Sequence, residues 1–155
     1  MNSNNFYPLK ARWPQLYQHA SFAECYVFSD PHTAAIKMRC FAEVLVGILY
    51  RELRLPSEPT DGFFEKLKSP NFREVVGDAV LQKLHALRML GNKAAHGNSM
   101  GADISLLLIE EAYLIGQWFY KTYSGECLDG YPAYAAPTNP SEHLAELSKT
   151  GENLA

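Results

Sequence analysis

Three side chains in one short stretch, Arg88, Asn92 and His96, have the types and the spacing to do chemistry. On a continuous helix they are successive i,i+4 neighbours and project from one face. The row sets a permanent cation, an amide and a titratable imidazole beside one another. Arginine grips phosphate oxygens bidentately, and histidine moves protons near neutral pH. Asn92 would orient the imidazole or the substrate. The same residues also admit an architectural reading. Arg and His near a helix C-terminus favour the helix dipole and bond its last carbonyls, and the row can reach Glu43 or another helix. Both readings stand at this stage.

Other chemistry is sparse. Arg39 and Glu43 are spaced as an i,i+4 pair, which reads as an ion pair, with a catalytic carboxylate the lesser alternative. No phosphate-binding glycine loop, nucleophile elbow, zinc-protease helix or calcium loop is present. His19, His32, His85, His96 and His143 form no close ligand set with Cys, Asp or Glu, so neither a metal nor another cofactor is expected. Cys25, Cys40 and Cys127 are far apart and lack a CxxC pair, which fits thiols in a reducing compartment. Trp13, Tyr17, Trp118, Phe119 and Tyr120 read as core or a partner-facing stripe rather than a base-stacking platform. Lys66, Lys68 and Arg73 read as solvated surface rather than a phosphate track.

These side chains need a scaffold, and the composition supplies one. The 155 residues amount to one domain's worth of chain, 47% hydrophobic and 20% charged, enough to bury a core. Lys plus Arg is 14 against Asp plus Glu at 17, so the net charge of −3 argues against a binder that covers its whole surface with nucleic acid. The start lacks a signal-peptide layout and no stretch is long and apolar enough to span a membrane. A cytoplasmic protein is expected.

Helical periodicity runs through the chain, and no segment alternates cleanly enough to be a strand. After polar residues 1–5, expected to fray, Trp13-Pro14 opens a first helix carrying Leu16, Ala20, Ala23 and Val27. Asp30 caps and Pro31 starts a second, to about Arg54, apolar over so wide an arc that it must be central. A short piece spans Phe63 to Leu67, and Asp78 is expected as the N-cap of a third long helix continuing through His96. Gly91, inside that helix, costs about 1 kcal/mol relative to alanine; close helix packing would explain it. Asp103 opens a last long helix, ending near Ser124-Gly125. The expected fold class is all-α, a bundle of three to four long helices over residues 1–124. Residues 125–155 read as a proline-rich extended tail or linker, with one short helix at Ser141 to Leu147.

Several motifs together resemble a known domain. They are Phe6, Trp13-Pro14 and Tyr17, then Asp30-Pro31 opening a helix with Arg39-Cys40-Phe41-Ala42-Glu43. Leu49-Tyr50, Ser69-Pro70-Asn71-Phe72, Arg88, Gly91-Asn92 and Ala95-His96 continue them. Over residues 6 to 123 this resembles the N-terminal helical domain of type I restriction enzyme R (HsdR) subunits. That domain also precedes DEAD/DEAH-type helicases, occurs alone, and looks related to the HEPN class of helical domains. The resemblance implies a non-catalytic module of anti-phage defence that contacts protein or nucleic acid, its partners being other domains or subunits of the complex. The motor and nuclease would lie in other domains.

The HEPN likeness implies a second reading. Ribonucleases of that class carry an arginine, a polar residue directly after it, then three residues and a histidine, and work as dimers. Asn92 and His96 match; Gly91 stands where the arginine falls, with Arg88 one turn earlier. In a metal-independent ribonuclease or toxin of that kind, His96 would handle the 2′-hydroxyl proton or the leaving oxygen. Arg88 would stabilise phosphate charge and Asn92 would position the scissile group.

Overall fold

Asp30 begins the central helix as its residue type predicts. In this computed structural model, which describes residues 2–153, its carboxylate accepts from the Thr33 N–H at 3.1 Å and from the Thr33 hydroxyl at 2.6 Å. Pro31 takes the first helical position, where no N–H is needed. Helix α1 spans Pro14–Tyr26, α2 Pro31–Glu52, α3 Phe63–Lys68, α4 Pro70–Ala95, α5 Ala102–Tyr123 and α6 Pro140–Asn153. Among the described residues there is no strand, and the all-α expectation holds.

Helix α2 packs against α1, α4 and α5 and is the axis of the bundle. Ala34, Ala35, Met38, Phe41, Ala42, Leu45 and Val46 are completely buried along it. Phe41 meets Phe6 edge-to-face with ring centroids 5.6 Å apart. The helix ends two residues before the expected Arg54. The Leu55 N–H bonds back to the Tyr50 carbonyl at 3.0 Å, leaving Arg54 at φ +50°. Glycine is the usual residue in that left-handed position, and an L side chain there costs about 1 kcal/mol or more.

Two local expectations are corrected. Helix α4 is two helical segments joined at Gly77, whose φ of +78° and ψ of 166° are not helical: the longer segment starts at Asp78, at the expected boundary, and the segment from Pro70 to Val76 precedes it. Only glycine takes that conformation without strain. Asp78, expected as an N-cap, instead accepts from Arg73 Nε across the kink at 2.9 Å. The second correction concerns residues 2–5, expected to fray; Met1 lies outside the described residues. Ser3 and Asn5 are buried, and the Ser3 N–H donates to the Tyr17 hydroxyl at 3.0 Å. Asn5 Nδ2 donates to Glu24 Oε1 at 3.0 Å and to the Ala135 carbonyl at 2.8 Å, while its Oδ1 accepts from the Ala135 N–H at 2.9 Å. Polarity alone suggested solvent; long-range partners keep these groups satisfied inside.

The chain beyond Gly125 runs along α5. Tyr131 is buried between Tyr113 and Tyr120, with ring centroids at 5.7 and 5.5 Å. The Tyr113 hydroxyl donates to the Pro132 carbonyl at 2.6 Å. Helix α6 follows, longer than the expected Ser141 to Leu147, with Leu144 and Leu147 exposed.

Candidate functional site

Helix α4 carries the Arg88–Asn92–His96 row toward its C-terminal end. Helical φ/ψ stops at Ala95, but the His96 N–H still bonds the Asn92 carbonyl at 3.0 Å, so the turn spacing reaches His96. Arg88 and Asn92 are half-buried and His96 is exposed. Two turns of helix put the Arg88 and His96 backbones about 12 Å apart along the axis.

The side chains do not converge. The Arg88 guanidinium lies over the Phe64 ring of α3, 4.7 Å from its centroid, and is engaged there. Its Nε is buried without a hydrogen-bond partner. Among the described residues, no side-chain hydrogen bond or ion pair joins Arg88, Asn92 and His96. The titratable group that feels Arg88 is His85, one turn earlier. Burial, with the Arg88 charge second, holds the His85 imidazole below its ordinary value. Burial, with Lys37 second, does the same to His19.

Both histidines therefore bind fewer protons in the folded chain than in the unfolded one as pH drops below the ordinary imidazole value of 6.5. Their contribution is complete above 6.5 and is lost as pH falls through the depressed folded values. Urea titrations at pH 7 and pH 5.5 are expected to show lower stability at the acid pH. A His19→Gln/His85→Gln variant should flatten that difference.

Gly91 sits at the closest approach of α4 to α2. A Cβ there would stand 2.4 Å from Arg39 Cβ and 3.2 Å from the Ala35 carbonyl oxygen. Close packing is thus the reason for this helix-interior glycine, as its position suggested. Arg39 Nη2 lies 3.8 Å from Glu43 Oε2 along α2, with the two side chains 30% and 50% exposed. A pair so accessible contributes at most about 1 kcal/mol.

Among the described residues, no three of His, Cys, Asp and Glu are grouped to hold a metal; the His143 side chain lies outside them. Cys25 and Cys127 are exposed and Cys40 is half-buried, all as free thiols. Sequence reasoning missed a groove of about 510 Å³ between the start of α1 and the end of α2, lined by Arg12, Trp13, Val44, Gly47, Ile48 and Arg51. Its one sequence signal is a glycine in the middle of a strongly apolar helix.

With this geometry in view, the chain was compared with known proteins. It is 28% identical over 137 residues to the type I restriction enzyme EcoKI endonuclease subunit of Escherichia coli (strain K12). The likeness is to part of a restriction subunit. It takes in 88% of this chain and 12% of that protein, so the chain spans about an eighth of the relative's length. No protein-family model matches, and no solved structure does. The similarity agrees with the resemblance to part of an HsdR subunit. Among the described residues, no helix is long and apolar enough to cross a membrane.

Proposed function

We propose that this chain is a non-catalytic helical contact module of a type I restriction-like system, the counterpart of the N-terminal helical domain of an HsdR subunit. It would act in anti-phage defence in the cytoplasm by docking on another domain or subunit, or on nucleic acid. One observation carries the reading: the likeness to the restriction subunit takes in nearly this whole chain and only 12% of that protein. A stretch of that size fits an accessory module attached to separate motor and nuclease parts. The side chains support it, because Arg88 is engaged with Phe64 and the Gly91 position is filled by α2. In this reading Arg88, Asn92 and His96 maintain the α3–α4 corner or border a contact surface, and Arg39 and Glu43 hold the α2 side.

A second reading rests on one feature. His96 is exposed at the helix end with Asn92 one turn below it, which leaves the imidazole accessible to RNA for HEPN-type cleavage, with a second copy supplying the facing motif. Incubating the chain with RNA in EDTA, beside Arg88→Ala and His96→Ala variants, separates the two. The expected result is no cleavage by the parent, even at concentrations that favour dimers. Cleavage by the parent that disappears in both folded variants would establish the ribonuclease instead.

A further inference from the structure

One backbone feature that lowers stability lines a groove, and a second lies three residues beyond its lining residue Arg51. Gly47 stands within the 22-residue α2, where glycine is less favourable than alanine. The other glycines of the long helices have packing reasons where neighbours crowd them: a Cβ would come within 2.4 Å of Arg39 at Gly91 and 3.1 Å of the Tyr131 hydroxyl at Gly116. At Gly47 no atom outside its two chain neighbours and the adjoining backbone of α2 lies within 4 Å of where a Cβ would be. Its missing side chain leaves open the floor of the groove lined by Trp13, Val44, Ile48 and Arg51. At the end of the same helix, Arg54 occupies the left-handed position at φ +50° that glycine would take freely. Strain kept at one place is a mark of use.

The charges there run against the rest of the molecule. Segments 10–13 and 51–54 hold Lys10, Arg12, Arg51 and Arg54 against the single carboxylate Glu52, in a chain whose net charge is −3. The wall between them is layered. Trp13 rests on Phe119 with ring centroids 4.5 Å apart, and the Arg12 guanidinium lies 5.0 Å over the indole. Arg12 Nη1 donates to the Tyr123 and Ser124 carbonyls, both at 3.2 Å, which fixes the guanidinium while the residue stays exposed.

A fixed guanidinium plane backed by an indole is a stacking surface for a nucleobase. A neighbouring exposed arginine suits the attached phosphate. The volume of about 510 Å³ is in the range of small-molecule sites. We propose that this groove binds a nucleotide unit, its base on the Arg12–Trp13 layer and its phosphate at Arg51, with Arg54 adding to the field. The stripe around Trp13 thereby becomes a stacking platform after all. The inference stands on the groove alone and holds whether or not the chain serves a restriction assembly.

The test is fluorescence anisotropy of the full chain with a labelled single-stranded oligothymidylate of about 15 nucleotides, at low and high salt, with calorimetric titration of AMP alongside. Binding that weakens with salt is expected. Gly47→Leu fills the floor and should raise the dissociation constant about tenfold or more, while Arg54→Gly removes a flanking cation and should raise it about two- to fivefold and lessen the salt dependence. Both variants relieve a backbone cost, so each should also raise the melting temperature by about 2–4 °C. A structural role predicts the opposite pairing, weaker binding only with a weaker fold. Heat of AMP binding lost in the same variants would make the free nucleotide sufficient, whereas strand binding without AMP binding would assign the site to nucleotides within a strand. Failure of both probes to bind at low salt, or affinities unchanged in both variants, would overturn the proposal.

Discussion

Gly91→Arg is expected to abolish folding of the chain. The substitution would place an arginine directly before Asn92, rebuilding the spacing of an HEPN ribonuclease motif, and would seem a route to activity. The geometry forbids it. The first side-chain carbon at position 91 already falls 2.4 Å from Arg39 Cβ and 3.2 Å from the Ala35 carbonyl oxygen. Any longer side chain must separate α2 from α4, and a guanidinium would be driven into the seam between them. Whole-domain stability is only about 5–15 kcal/mol, and parting the central helix from its neighbour while burying a charge would consume most of it. Gly91→Ala is the milder form. Overpacking of about 1–3 kcal/mol, less about 1 kcal/mol recovered in helix propensity, leaves a smaller net loss. Circular dichroism melts should show no cooperative transition for the arginine variant and a lowered midpoint for the alanine variant. A cooperatively folded Gly91→Arg chain would mean that α2 and α4 are not packed as described.

Phe41→Ala should be the most damaging of the simple truncations. Phe41 is fully buried on the central helix, meets Phe6 edge-to-face, and closes on α5 beside Gly116. Removing a ring from such a site costs about 3–5 kcal/mol through lost burial and the cavity left behind. For a chain of this size that corresponds to a fall in melting temperature of roughly 10 °C or more. Equilibrium urea unfolding should show the loss as a lower midpoint with an unchanged slope. A loss below about 1 kcal/mol would mean that the site collapses around the missing ring.

The parts of the fold legible in the sequence were those written in local terms. Asp30-Pro31 announces α2 because a cap and a first-turn proline act within four residues, and the wide apolar arc that follows has no other use than a central position. Gly91 was legible as a packing glycine for the same reason: its cost is local even though its cause is across the bundle. What escaped was set by partners far along the chain. Asn5 is polar and near the terminus, and nothing nearby indicates that Glu24 and Ala135 will satisfy it. Arg88 lies on the expected helix, yet Phe64, on a different helix, decides where its guanidinium goes. Periodicity states which face a residue shares and is silent on which way a long side chain leans from it. Gly77-Asp78 reads correctly as a boundary between helical segments, but the Asp78 carboxylate is taken by Arg73 rather than by a cap, a partner five residues back that the glycine signal does not reveal. The groove beside Trp13 depends on a side chain that is missing, so its one trace in the sequence is Gly47 itself.

The Asn5 clamp also constrains the order in which the molecule can be made. Its partner at Ala135 is 130 residues further on. During synthesis at about 5–20 residues per second, that delay is on the order of ten seconds. Through this interval Asn5 has been made while the Ala135 main-chain groups it will bond have not. Until then residues 3–5 have only their nearer partners in α1, the Tyr17 hydroxyl and the Glu24 carboxylate, to hold them. The Asn5–Ala135 contact is therefore among the late ones to close, 130 residues of chain separating its two sides.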